Sequence, residues 1–133
     1  MDSLASGNLT IEVSGGADAV VCTWKGKSND RHPAQVLAPW FEELLADAAG
    51  RALPVEMHFE GLEHFNSSTI TALIRFIQTA RNRGVRLVFV YDQNLKWQRL
   101  SFDALRVFDK GDRAFELRTA PGGGAAGPGG ATA

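Results

Sequence analysis

The residues of this chain best able to do chemistry are three histidines, one cysteine, a serine pair and a few clustered arginines. His58 falls inside a Glu-rich stretch with Glu60, and His64 follows closely, a grouping that could hold a metal or pass a proton. Metal binding needs donors that converge, yet no His or carboxylate pair here has helical ligand spacing, and alternate residues of a strand leave the same face side by side. A polar sheet face plus a loop histidine accounts for them better, and a small enzyme using His58, His64 and Glu60 is the weakest reading. His32 sits in a polar loop. Cys22 lies among apolar neighbours and reads as a small core side chain rather than a nucleophile. Arg81, Arg83 and Arg86 fit a solvated helix end. No glycine-rich loop stands between a strand and a helix, where a phosphate cradle would need one. Nothing assembles a nucleophile, a base and an orienting group, so no catalytic residue, metal or cofactor is assigned.

The informative stretch is Phe65-Asn66-Ser67-Ser68-Thr69-Ile70, placed between a strand and a helix start. Asn or Ser at this position caps a helix by accepting a bond from a free backbone N–H. The same place tolerates a phosphate, because free N–H groups and partial positive charge gather at a helix N-terminus. A phosphate on a serine there adds roughly -1.5 to -2 charges to the surface and changes which partner face can approach.

The elements around this stretch follow from periodicity. Leu9, Ile11 and Val13 alternate with polar residues, Ser14 to Asp18 is turn material, and Ala19 to Lys25 returns as a β-prone run, which predicts a hairpin. Gly26 to His32 reads as a loop. A helix opens near Pro33, carries Val36, Leu37, Trp40, Leu44 and Leu45 at three- and four-residue spacing, and stops at Gly50, with Pro39 a possible kink. Val55, Met57 and Phe59 alternate with Glu56, His58 and Glu60 as a strand. Ile70, Leu73, Ile74 and Ile77 give the strongest helical signal, closed by Gly84. Arg86 to Tyr91 is a strand covered on both faces. Asp92-Gln93-Asn94 caps a third helix whose inner face is Trp97, Leu100, Ala104, Val107 and Phe108, and Phe115 to Thr119 is a last strand.

The order ββαβαβαβ predicts one α/β domain, with a mixed, mostly parallel sheet of about five strands and about three helices. Residues 9–119 form the domain, 1–8 a flexible N-terminus, and 120–133 a disordered tail rich in Gly, Ala and Pro. The chain has 133 residues, 44% of them apolar and 22% charged, an ordinary globular mixture. Fourteen Lys and Arg against fifteen Asp and Glu leave a net charge of -1, which gives no electrostatic case for direct nucleic-acid binding. No apolar run could span a bilayer, no secretory signal opens the sequence, and one cysteine makes no internal disulfide, so a cytoplasmic location is expected.

The run Glu60-Gly61-Leu62-Glu63-His64-Phe65-Asn66-Ser67-Ser68-Thr69-Ile70-Thr71-Ala72-Leu73-Ile74 resembles the signature of STAS domains, named for sulfate transporters and anti-sigma-factor antagonists. Arg83 to Val90 is similar to the family's next turn and strand. The resemblance implies a regulatory protein, not an enzyme. It would bind an anti-sigma factor or related serine kinase, be phosphorylated on a serine at the start of the second helix, and be reset by a cognate serine phosphatase. The phosphorylated serine would be Ser68, with Ser67 or Thr69 as alternatives, and Asn66, Ser67, Ser68 and Thr69 would meet the partner. Asn66 stands where the family has Asp, and Thr69 where it has Gly. The alternative is a non-phosphorylated STAS scaffold or a transporter-associated binding module.

Overall fold

The computed structural model of the chain describes residues 1–120. Apart from Ala120, the tail expected at 120–133 lies outside the described residues. The elements are β1 (Leu4–Ser6), β2 (Leu9–Gly15), β3 (Val20–Ser28), α1 (Ala34–Arg51), β4 (Val55–His58), β5 (Leu62–Phe65), α2 (Ser67–Asn82), β6 (Leu87–Tyr91), α3 (Lys96–Asp103) and β7 (Phe115–Thr119), with a 3-10 segment Ala104–Phe108 continuing α3. They form one α/β domain whose mixed sheet has seven strands, ordered β1-β2-β3-β4-β6-β7, with β5 also pairing β3. Only β1–β2 and β2–β3 are antiparallel; β3, β4, β5, β6 and β7 pair in parallel.

Two strands exceed the sequence expectation. Leu4–Ser6 pairs with Leu9–Ile11 across a tight turn in which Gly7 has φ 57°, so residues 1–8 are not a free N-terminus. Leu62–Phe65 follows the end of β4 and pairs with Gly26–Ser28, the end of a β3 that runs three residues beyond Lys25. The segment expected as the start of a loop is therefore strand. A register shift between Gly26 and Lys27 accommodates it.

The sheet is covered on one face. Ile11, Val20, Cys22, Trp24, Val55, Met57, Leu87, Phe89 and Phe115 join one buried cluster with Leu37, Leu44, Leu45, Leu73, Ile77 and Phe102 of the helices. Aromatic rings fill its middle: Phe59 lies 4.9 Å from both Trp24 and Phe102, and Phe41 stacks on Phe76 at 4.2 Å. Val88 and Val90 point to the opposite face and are buried without belonging to that cluster. Their cross-strand neighbours are Glu56, His58, Glu116 and Arg118, so polar side chains shield that face.

Helix α1 runs through Pro39, which is exposed, and through Gly50, ending instead at Ala52 in the left-handed conformation. The inner face expected for α3 is observed only in part: Trp97 and Phe108 pack against the core, but Ala104 is exposed. Leu100 and Val107 are exposed, whereas Gln98, Phe102 and Leu105 are buried. Gln98 is held there by backbone demand: its Nε2 donates to the carbonyls of Phe59 (2.6 Å) and Leu62 (3.1 Å), and its Oε1 accepts from the Asp92 N–H at 2.8 Å. Gln98 thus binds backbone groups at the β4–β5 turn and the β6 exit, where the Phe59 carbonyl also accepts from the Leu62 N–H at 2.9 Å.

Candidate functional site at the start of helix α2

Strand β5 ends on buried Phe65, and Asn66 turns the chain into α2 with an extended backbone, φ -91° and ψ 174°. Its side-chain oxygen accepts from the Thr69 N–H at 2.9 Å, and its amide nitrogen donates to the Asp30 carbonyl at 2.7 Å. The Asn66 N–H donates to the Ser28 carbonyl at 3.0 Å. One asparagine thus caps the helix and ties it to the end of β3.

Thr69 completes the network from below. Its hydroxyl lies 2.8 Å from Asn66 Oδ1 and 2.7 Å from Ser28 Oγ. A carboxamide oxygen can only accept, so Thr69 donates to Asn66 and its own oxygen is left to accept from Ser28. Thr69 is fully buried. This corrects its place among the alternative phosphorylation and partner-contact residues: its hydroxyl cannot be reached while the helix start is folded. A side chain with both a methyl and a hydroxyl fills a spot where glycine would leave Ser28 without a partner.

Ser67 and Ser68 point the other way and are exposed. Capping is carried by Asn66, and neither serine hydroxyl takes part in a hydrogen bond among the described residues. They differ in surroundings. Ser68 lines a surface groove of about 300 Å³ with Arg31, His32, Gln35, Thr71 and Arg75, whereas Ser67 is not part of its lining. The groove lies where the chain entering α1 meets the first turns of α2. Ser68 offers an exposed hydroxyl in a groove whose lining also contains two arginines and His32.

Of the residues considered for catalysis, His58 and Glu60 meet on the sheet, but His64 and Cys22 do not join them. His58 sits on the open sheet face between Glu56 (2.6 Å) and Glu60 (3.2 Å). His64 is exposed beside Trp97, with ring centroids 6.4 Å apart. Among the described residues no group of three His, Cys, Asp or Glu side chains could hold a metal ion. Cys22 is fully buried, and desolvation pushes its thiol up to about 12, which keeps it protonated and unreactive. Arg81 is bound to Asp112 and to the Phe108 carbonyl, Arg83 to Glu42, and Arg86 to Glu116, so that cluster ties elements together. Sequence reasoning missed Arg31 and Arg75, which line the same groove as Ser68. Arg75 lies seven residues after Ser68, two turns along the same helix face, and that spacing was the available signal.

No family model matches the chain, and no curated protein matches it. Among solved structures, it is similar to a chain of the complex between the diguanylate cyclase SiaD and its activator SiaC from Pseudomonas aeruginosa. The match has a TM-score of 0.57 and 19% identity, and covers 89% of this chain and 98% of that chain. At that identity the likeness is one of fold.

Proposed function

We propose that this chain is a regulatory, non-enzymatic protein of the STAS type that binds a protein partner through the start of α2. When Ser68 is free it captures an anti-sigma factor or a related serine kinase; phosphorylation of Ser68 releases that partner, and a serine phosphatase restores the free form. In the modifying step the kinase directs the Ser68 hydroxyl oxygen at the γ-phosphorus of ATP. An O–P bond forms, the β,γ-bridging bond breaks, ADP leaves, and the hydroxyl proton passes to the kinase's base.

The observation that carries this reading is the division of labour at the helix start. Asn66 and Thr69 satisfy the cap and are unavailable, while Ser68 is exposed, free of hydrogen bonds within the described residues, and set in a groove. Helix start and sheet are rigidly joined through Ser28 and Asp30, so a phosphate added at Ser68 would alter a fixed surface rather than a loose loop. The fold shared with a chain of an activator–enzyme complex supports a role in protein binding. No described helix is long and apolar enough to cross a membrane.

The test is intact-mass spectrometry and phosphopeptide mapping of the protein after incubation with ATP and cell extract or any serine kinase that co-purifies with it, followed by a pull-down of each form. One phosphate on Ser68 and loss of partner binding in the modified form are expected. Phosphate on Ser67 or Thr71 would move the switch along the helix. No phosphate, with partner binding intact, would leave the non-phosphorylated scaffold as the better description.

A further inference from the structure

The arginines of this protein are mostly spoken for. Arg51, Arg81, Arg83, Arg86, Arg106 and Arg118 each hold a carboxylate. Arg31, Arg75, Arg99 and Arg113 hold none among the described residues, and of these four Arg31 and Arg75 line the Ser68 groove. That lining contains no Asp or Glu. Asp30 is Arg31's neighbour in sequence, but its carboxylate accepts the His32 N–H at 3.2 Å and lies outside the lining. Two guanidinium groups without an anion therefore share one concavity, where a doubly positive field favours a negative ligand.

The concavity does not end at Arg75. Ala34, Ala72 and Arg75 also line a second groove, of about 80 Å³, that follows the seam between α1 and α2 over Ala38, Phe41, Leu45 and Phe76; Thr79 and Glu42, the latter paired with Arg83, complete its lining. Alanines at 34, 38 and 72 keep this seam low enough to form a trough. One end of the trough is cationic and carries Ser68; its middle is apolar, and the Glu42 carboxylate at its edge is neutralised by Arg83. A ligand matching both parts has an apolar side chain to seat over the alanines and a negative group to place at the arginines. A free phosphate matches only the cationic end, whereas a peptide segment can match both.

We propose that this trough takes an amphipathic segment of the protein partner with a carboxylate at its Ser68 end. Arg31 and Arg75 hold that carboxylate when Ser68 is free and the Ser68 phosphate when it is modified. The inference rests on the switch reading above and gives it a mechanism. Guanidinium groups bind carboxylate and phosphate oxygens by the same paired N–H geometry, and the doubly charged phosphate is the stronger anion. A phosphate on Ser68 is tethered next to its receptors, so it outcompetes a partner carboxylate that must arrive from solution. Release then follows from occupation of the anion site in cis, together with repulsion of the incoming carboxylate.

Two synthetic probes test this on the full chain. Two amphipathic peptides with the same apolar residues, one ending in Glu and one in Lys, are titrated into isotope-labelled protein and followed by NMR. The Glu peptide should bind at least tenfold more tightly, shift the signals of Ser68, Ala72 and the Arg75 side chain, and weaken with rising salt. Arg31→Gln with Arg75→Gln should remove the preference; both residues are exposed, so the fold should survive. In protein carrying phosphoserine installed at position 68, the Glu peptide should no longer bind. There the second phosphate ionisation, read by phosphorus NMR, should fall below the ordinary value of about 6 and return toward it in the double variant. Equal binding of the two peptides, or a phosphate ionisation indifferent to both arginines, would overturn the proposal. Absence of Ser68 phosphate in the cell would remove the switch yet leave the Glu-peptide preference standing, so the two failures are distinct.

Discussion

Replacing Thr69 by valine should destabilise the domain by about 2–4 kcal/mol, although the two side chains have nearly the same shape. The hydroxyl makes two short contacts, to Asn66 Oδ1 at 2.8 Å and Ser28 Oγ at 2.7 Å. Losing the first removes one accepted bond from a cap that keeps its bond from the Thr69 N–H, a cost of about 1 kcal/mol. Losing the second strands the Ser28 hydroxyl, which is only 3% exposed, and an unpaired buried hydroxyl costs about 1–3 kcal/mol. The added methyl meets an already filled core and recovers little. Urea unfolding followed by circular dichroism should show a lower midpoint with an unchanged slope, since the surface exposed on unfolding is the same. Thr69→Ser keeps both polar contacts and should lose no more than about 1 kcal/mol, the worth of one methyl. A valine variant within 0.5 kcal/mol of the parent would refute the network as drawn, because Ser28 would then have another partner.

Other expectations follow from single features. Gly26→Ala should cost several kcal/mol more than Gly84→Ala: both glycines have positive φ, but a Cβ at Gly26 would overlap the Asn8 carbonyl oxygen, whereas at Gly84 it meets nothing. Gly84→Ala should cost about 1 kcal/mol, the ordinary price of a left-handed alanine, and parallel thermal melts of the two variants compare them directly. Glu116 is held below its ordinary carboxylate range, first by its hydrogen bond from Arg118 and then by that from Arg86. A depressed folded-state pKa stabilises above the unfolded value and is lost as pH falls through the folded one. Glu116→Gln should therefore cost a few tenths to about 1 kcal/mol at neutral pH, after allowance for solvent screening, and nothing once the parent's carboxyl is protonated in acid. Urea midpoints across the pH range check the sign. Cys22 should resist thiol reagents in the native protein and react at once in denaturant, as timed by mass spectrometry; fast native labelling would contradict its burial.

The parts of the fold legible in the sequence were those where one physical demand acted alone. Leu73 and Ile77 are buried, and Ile70 and Ile74 pack partly against the core, because an amphipathic helix on a sheet has only one way to hide that stripe. Strand β6, all apolar, is buried on both faces even though no described helix covers the second, since cross-strand side chains close over Val88 and Val90. Strand β5 was illegible because Leu-Glu-His-Phe does not alternate: only its two ends are buried, and its pairing depends on a β3 that continues past a glycine. Strand β1 was too short to give a period. In α3 the apolar pattern placed Trp97 and Phe108 against the core but also pointed at Leu100 and Val107, which are exposed; buried Gln98 instead bonds the Phe59 and Leu62 carbonyls and the Asp92 N–H. At the site, the cap at Asn66 was visible as residue type and position. The arginines were not, because Arg31 comes from the approach to α1 and reaches Ser68 only through the fold.

The central claim is that Ser68 carries a reversible phosphate that governs partner binding. Its most direct test is phosphopeptide mapping of the protein isolated from its own cells, with the partner-bound and unbound fractions separated first. The expected result is phosphate on Ser68 in the unbound fraction and an unmodified Ser68 in the bound one. Equal phosphate in both fractions, or none in either under conditions that change partner binding, would contradict the account.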